Sequence, residues 1–241
     1  MNRPLAIFDV DGTICDTLDV DDACYLASVS MVLNEPVAVS SWEEAAHVTD
    51  AGVTDWLWSK YRHRSPTTEE VLALVCAYEA ALVRELQRAP QKFRATPGAP
   101  ALISRLLGDS WGVGIATGGW RRLARLKLSA AGIPGDFLLA SSDDSHDRLE
   151  IFRIAHNRLS KSLGLPHSGR TVLVGDGIWD LRVACALGWS FLGVGKAERA
   201  ARLKAEGASA VVEDFASLSE VLDLLQTCSV PKVAAPYQEV C

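Results

Sequence analysis

The 241 residues carry 49% hydrophobic and 22% charged side chains, which suits one large folded domain or two modest ones and excludes a disordered chain. With 24 basic against 30 acidic residues the net charge is −6, so the broad positive field behind non-specific nucleic-acid binding is missing, and an anionic substrate needs a local positive site. The six cysteines are scattered without a C-x-x-C pair, which argues for reduced thiols in a cytoplasmic protein and against a zinc site or a disulfide framework. The first apolar run, Leu5 to Phe8, is too brief for a signal sequence or a membrane span.

That run ends in Asp-Val-Asp-Gly, and a short apolar run closed by a turn signal reads as a buried parallel strand with Asp9 at its carboxyl end. From about Asp19 to Arg88 the periodicity is helical. In the stretch Glu69 to Leu86, Val71, Leu72, Val75, Tyr78, Leu82, Val83 and Leu86 fall on one stripe, with a start at Thr67 or Thr68 ahead of Glu70 and an end at Ala89-Pro90. After Thr96-Pro97-Gly98 short strands alternate with helices. Strands are predicted at Trp111 to Ala116, Phe137 to Ala140, Thr171 to Val174, Phe191 to Val194 and Ala210 to Val212. Helices are predicted at Ala99 to Leu107, Arg121 to Ala131, Glu150 to Leu163, Leu181 to Leu187, Ala197 to Glu206 and Leu218 to Leu225. The pattern is that of an α/β, doubly wound parallel sheet. Its core is drawn from residues 1–15 and 95–228, an all-helical insertion spans 16–94, and a flexible tail covers 229–241.

Ligands of open α/β sheets bind beyond the carboxyl ends of the strands. Three of these ends carry polar residues: Asp9-Val10-Asp11-Gly12-Thr13, Thr117-Gly118-Gly119, and Gly175-Asp176-Gly177-Ile178-Trp179-Asp180. An EF-hand reading of the first fails, because Gly12 stands at loop position four rather than six and Val20 takes the place of the closing glutamate. A dinucleotide-binding reading of Gly112-Val113-Gly114 fails because those glycines lie inside a predicted strand.

In type, order and strand context the set resembles the haloacid dehalogenase superfamily, with its D-x-D-G-T, Ser/Thr and G-D-x(3)-D motifs. The resemblance implies a Rossmann-like core with a helical cap that closes over the site, hinged near Asp16 and Arg94. It implies Asp9 as nucleophile forming an aspartyl-phosphate, and Asp11 as the acid and base that serves leaving group and water in turn. Mg²⁺ would be held by Asp9, the backbone carbonyl of Asp11, and Asp176, with Asp180 in support. Thr117, placed where a helix begins, would donate to phosphate oxygens with Gly118 and Gly119, in a phosphate-binding set that also includes Gly12 and Thr13.

The family's usual lysine of the third motif is absent from Ser142-Asp143-Asp144-Ser145-His146-Asp147-Arg148-Leu149-Glu150. Arg148 is the best substitute, since a guanidinium bridges carboxylate and phosphate, and His146 and Arg153 stay open. Gly52-Val53-Thr54-Asp55 resembles a stretch that helps face the active site in phosphoglycolate-phosphatase-like members; alternatively, Thr54 or Asp55 caps a helix. Trp42, Trp56 and Trp58 are expected to pack the insertion. The expectation is a Mg²⁺-dependent phosphatase, monomeric or homodimeric, acting on a small phosphorylated metabolite such as a phosphoglycolate-like compound or a sugar phosphate, with no nucleic-acid or membrane partner. A phosphomutase shares the motifs, and a non-catalytic binding module on the same fold is the alternative of another class.

Overall fold

The structure is a computed structural model that describes residues 3–134, 136–165 and 169–232. The predicted tail lies outside the described residues from 233 onward. Strand β1 (Leu5–Phe8) is buried at all four positions, as a strand covered on both faces must be. It lies between β4 (Gly112–Ala116) and β6 (Thr171–Gly175), parallel to both, with Leu5 opposite Gly112 on one side and Thr171 on the other. Outside these run β5 (Leu139–Ala140), β7 (Ser190–Val194) and β8 (Val211–Val212), giving the order β5-β4-β1-β6-β7-β8. The edge strands are shorter than predicted: β5 pairs only through Ile115 and Ala116, so the chain from Phe137 has no ladder to join.

Helices cover both faces. Apolar residues of α4 (Ala99–Gly108), α5 (Arg121–Ala130) and α9 (Leu218–Thr227) bury against Ala6, Phe8 and Ile115 on one side. On the other, α6 (Arg148–Ser162), α7 (Ile178–Leu187) and α8 (Ala197–Ala205) pack on Ile7, Leu173 and Phe191. Helices α6 and α7 begin earlier than predicted because polar groups cap them: Asp147 accepts from the Leu149 amide, and Asp180 reaches back to the Gly177 amide.

Between β1 and β4 the chain leaves through β2 (Cys15–Asp16) and returns through β3 (Arg94–Ala95), an antiparallel ladder that the sequence did not suggest. Arg94 clamps it with two donors on Asp16 Oδ2, at 2.9 and 2.7 Å. Beyond the ladder lie α1 (Leu18–Leu33), α2 (Asp50–Arg62) and α3 (Thr68–Arg88), whose shared core holds Leu57, Trp58, Leu74, Tyr78 and Leu82. Trp120 and Leu123 of the α5 region belong to that same cluster. Thr67 and Glu70 form a capping box at the start of α3, as the sequence predicts. The buried stripe of α3 runs through Leu74, Tyr78, Ala81 and Leu82; Leu72, two residues from Leu74 and so across the helix, is 59% exposed. Trp58 is buried as expected, whereas Trp42 is half-buried and donates to Asp22 at 3.2 Å. Among the described residues no helix is long and apolar enough to cross a membrane.

Candidate active site

The chain departs from β1 toward neighbours on either side, which opens a crevice at the carboxyl ends of the central strands. Asp9 follows β1, Thr117 follows β4 and Asp176 follows β6, and all three are buried at the crevice. A cavity of ≈ 110 Å³ lies there, walled on the sheet side by Asp9, Asp11, Thr117 and Asp176 and on the helical side by residues of α1, α2 and the loop before α2.

Arg148, the first residue of α6, sits at the centre of this cluster with a side chain 6% exposed. Its Nε donates to Asp180 Oδ1 at 2.8 Å, its Nη2 to Asp9 Oδ1 at 3.1 Å, and its Nη1 to the Val48 carbonyl at 2.9 Å. The cation beside Asp9 is thus Arg148. His146 instead faces Asp55 at 2.8 Å, and Arg153 pairs with Glu150. Gly118 permits the arrangement, since a Cβ there would press into Arg148 Nη1 and lie 2.9 Å from the Val48 carbonyl.

Asp9, Asp176 and Asp180 bring carboxylate oxygens within 4.8 Å of one another. Burial raises the pKa of Asp9 well above the ordinary range, Arg148 opposes the rise, and the neighbouring carboxylates add to it. Asp176 is pushed up to about 7 by burial and by the Asp180 charge. These clustered hard oxygen donors fit a divalent metal ion, to which Asp9 and Asp176 can offer side-chain oxygens. Asp180, the third carboxylate of the group, also receives Arg148 on one oxygen and the Gly177 amide on the other at 3.1 Å. The Asp11 carboxylate turns away from this cluster, toward Thr17 and Lys127. Gly12 has φ +73°, and a Cβ on it would press into the Asp176 carboxylate.

Asp11 accepts from the Thr17 hydroxyl at 2.5 Å and from Lys127 Nζ at 2.6 Å. Lys127 is fully buried and holds Asp21 at 2.6 Å as well. Burial works to lower its pKa, but Asp11, Asp21 and Asp50 outweigh it and keep the ammonium charged. Sequence reasoning missed this residue. The available signal was its place on the apolar face of α5, in line with Leu123, Ala124 and Leu128, where a lysine needs a buried anion as partner.

Of the residues predicted to contact phosphate, Thr117, Gly118 and Gly119 line the cavity. Helix α5 starts at Arg121, as predicted, four residues beyond Thr117, and the amides at its start are taken: Trp120 N donates to Asp50 Oδ2 at 2.8 Å and Arg121 N to Asp143 Oδ2 at 2.6 Å. The Gly119 amide turns onto Thr117 Oγ1 at 3.1 Å, which leaves the Thr117 hydroxyl hydrogen free to point into the cavity. The Thr13 hydroxyl lies 3.5 Å from Asp9 Oδ2, and neither Thr13 nor Gly12 lines the cavity. Thr54 and Asp55 do not line it either. Thr54 is buried inside α2, donating to the Asp50 carbonyl at 2.6 Å and sharing a hydrogen bond with Tyr25 Oη, and the cap of α2 is Thr49. The α2 residues that line the cavity are Asp50, one turn before Thr54, and Val53.

A family model for haloacid dehalogenase-like hydrolases matches residues 4–188. The chain belongs to the haloacid dehalogenase-like hydrolases. Solved structures repeat the fold over nearly the whole chain. A hydrolase from Pseudomonas syringae is 24% identical over 95% of this chain and 100% of its own, with a TM-score of 0.70. A beta-phosphoglucomutase from Clostridium difficile is 17% identical over 92% and 96%, with a TM-score of 0.68. A predicted phosphoglycolate phosphatase from Haemophilus somnus is 18% identical over 92% and 99%, with a TM-score of 0.61. A comparison with curated protein sequences finds no match.

Proposed function

We propose that this member of the family is a Mg²⁺-dependent phosphatase that hydrolyses a small phosphate monoester through a phosphoryl group carried on Asp9. The observation that carries the reading is the meeting of Asp9, Thr117 and Asp176 from three adjacent strands, with Asp11 two residues beyond Asp9 in the same cavity wall. In-line attack by an Asp9 oxygen on phosphorus forms the aspartyl-phosphate and releases the alcohol. Asp11 protonates the departing oxygen and then takes a proton from the water that cleaves the acyl phosphate, its direction fixed by Thr17 and Lys127. Arg148 holds Asp9 in place and, with the Thr117 hydroxyl, offsets charge on the phosphoryl oxygens. Mg²⁺ on Asp9, Asp176 and the Asp11 carbonyl would supply the remaining charge neutralisation.

The test is hydrolysis of p-nitrophenyl phosphate with Mg²⁺. Turnover that disappears in Asp9→Asn supports the proposal. No turnover, or turnover untouched by Asp9→Asn, would leave a non-catalytic module as the better reading. Migration of a phosphoryl group on a hexose phosphate without free phosphate, followed by ³¹P NMR, would make the protein a mutase instead.

A further inference from the structure

Asp11 is held by both of its carboxylate oxygens. Thr17 donates to Oδ1 at 2.5 Å and Lys127 Nζ to Oδ2 at 2.6 Å, and the same ammonium donates to Asp21 Oδ1 at 2.6 Å. Thr17 and Asp21 stand one turn apart at the start of α1, joined by the hydrogen bond from the Asp21 amide to the Thr17 carbonyl at 2.9 Å. The contacts form a closed circuit: Asp11, Thr17, one helical turn, Asp21, Lys127 and Asp11 again. The ammonium has no room to leave it. Lys127 is 0% exposed, and a Cβ on Gly119 would lie 3.8 Å from Nζ, which puts the charge directly behind the turn that follows β4.

This circuit joins parts of the chain that the fold otherwise keeps apart. Asp11 follows β1 and Lys127 lies on α5, whose apolar face packs on the sheet, whereas Thr17 and Asp21 belong to the first inserted helix. Asp21 lines the cavity together with Asp11, but Lys127 does not reach it, so the ammonium can act on a substrate only through the carboxylates that it holds. Stability alone is a weak reason for such an arrangement, because apolar residues of similar volume in place of a buried ion pair are often neutral or stabilising.

Resting on the phosphatase reading above, we propose that Lys127 and Asp21 are positioning residues for the acid/base: through them the inserted helix α1 aims the Asp11 carboxyl at the oxygen that leaves phosphorus. In that step the bond from an Asp9 oxygen to phosphorus forms, the bond from phosphorus to the alcohol oxygen breaks, and the proton on Asp11 passes to that oxygen. A carboxyl free to turn would spend less time in line with the departing oxygen, so proton transfer would suffer while attack by Asp9 would not.

The test varies how much the leaving group needs that proton. With Mg²⁺ present, kcat/KM is measured for p-nitrophenyl phosphate, whose leaving group departs readily as an anion, and for phenyl phosphate, whose more basic leaving group depends on the acid. A positioned general acid contributes about 10²–10⁴-fold, and Asp21→Asn, which keeps the shape and removes the charge, should lose about tenfold on phenyl phosphate and less than about threefold on p-nitrophenyl phosphate. Lys127→Met should widen the difference further. Because that variant strands two buried carboxylates, Asp21→Asn carries the test, with its fold checked by circular dichroism. An equal loss on both esters, which a merely structural role predicts, or no loss on either, overturns the inference and leaves the phosphatase reading standing. Turnover of p-nitrophenyl phosphate alone by the wild type also overturns it, since Asp11 would then give the leaving oxygen no proton. If the wild type hydrolyses neither ester, the phosphatase reading falls and the inference with it.

Discussion

Replacing Arg148 by methionine, which keeps much of the volume and removes the charge, strands two carboxylates. Asp9 and Asp180 are 6% and 0% exposed at the side chain, and Arg148 is their shared counter-ion at 3.1 and 2.7 Å. Removing one partner of a buried ion pair costs about 3–5 kcal/mol. For a chain of this size each kcal/mol moves Tm by roughly 2–4 °C, so a loss of about 6–20 °C is expected in Mg²⁺-free buffer. The deficit should also depend on pH in a definite direction. Without the guanidinium, Asp9 and Asp180 hold protons to still higher pH, and a protonated carboxyl no longer incurs the penalty. The gap to the wild type is therefore small near pH 5 and widens toward pH 8. Activity follows the same logic, because a protonated Asp9 cannot attack phosphorus: kcat/KM should fall at least 100-fold at pH 7 and recover in part above pH 8. Arg148→Lys should restore part of both quantities, since a lysine can serve one carboxylate but cannot also reach Val48. Thermal scans by circular dichroism at three pH values and a pH–rate profile make the measurement. Wild-type Tm together with wild-type turnover in Arg148→Met would refute the reasoning.

Gly12→Ala forces a side chain onto φ +73° and against Asp176; about 1–2 kcal/mol should be lost from the backbone alone, and the Mg²⁺ concentration needed for half-maximal turnover should rise. An unchanged Mg²⁺ requirement would separate Gly12 from the metal site. Lys127→Met leaves Asp11 and Asp21 buried without their cation, with about 3–5 kcal/mol lost on urea titration; a wild-type midpoint would show that the ammonium is not needed. The raised carboxylates fix the pH dependence of the Mg²⁺-free protein. Asp50 at about 8 and Asp176 at about 7 stand above the ordinary 3.8, so folding takes up protons between about pH 4 and 8 and stability falls as pH rises through that window. Tm in EDTA should be lower at pH 8.5 than at pH 6, with a shallower slope in Asp50→Asn. A rise would contradict the sign.

The sheet was legible because its central strands are uninterrupted apolar runs closed by Gly and Asp, a pattern that burial on both faces demands of β1 and β6. The two-residue strands β2 and β3 were not, since Cys15–Asp16 and Arg94–Ala95 are too short to show any periodicity. Asp9, Asp11, Thr117, Arg148 and Asp176, all singled out from the sequence, line the cavity. The helical side was read poorly. Thr54 and Asp55 stood out by likeness to a motif, whereas Asp50 and Asp22 face the cavity through the tilt of α1 and α2, which no local pattern encodes. Lys127 falls between: the charge on an apolar helical stripe was visible, but its partners lie 106 and 116 residues away.

Trp120 and Leu123 are joined in sequence to the sheet and in packing to the inserted helices. Helix α5 is thus a shared wall, and the insertion cannot lift away from the sheet without bringing two large apolar side chains into water at roughly 25 cal/mol per Å². Lifting would also tear Lys127 from Asp21. The start of α2 is tied to the sheet side as well: the Val48 carbonyl accepts from Arg148, the Asp50 amide donates to the Gly118 carbonyl and the Ala51 amide to Ser142 Oγ, so the same lift would break all three bonds.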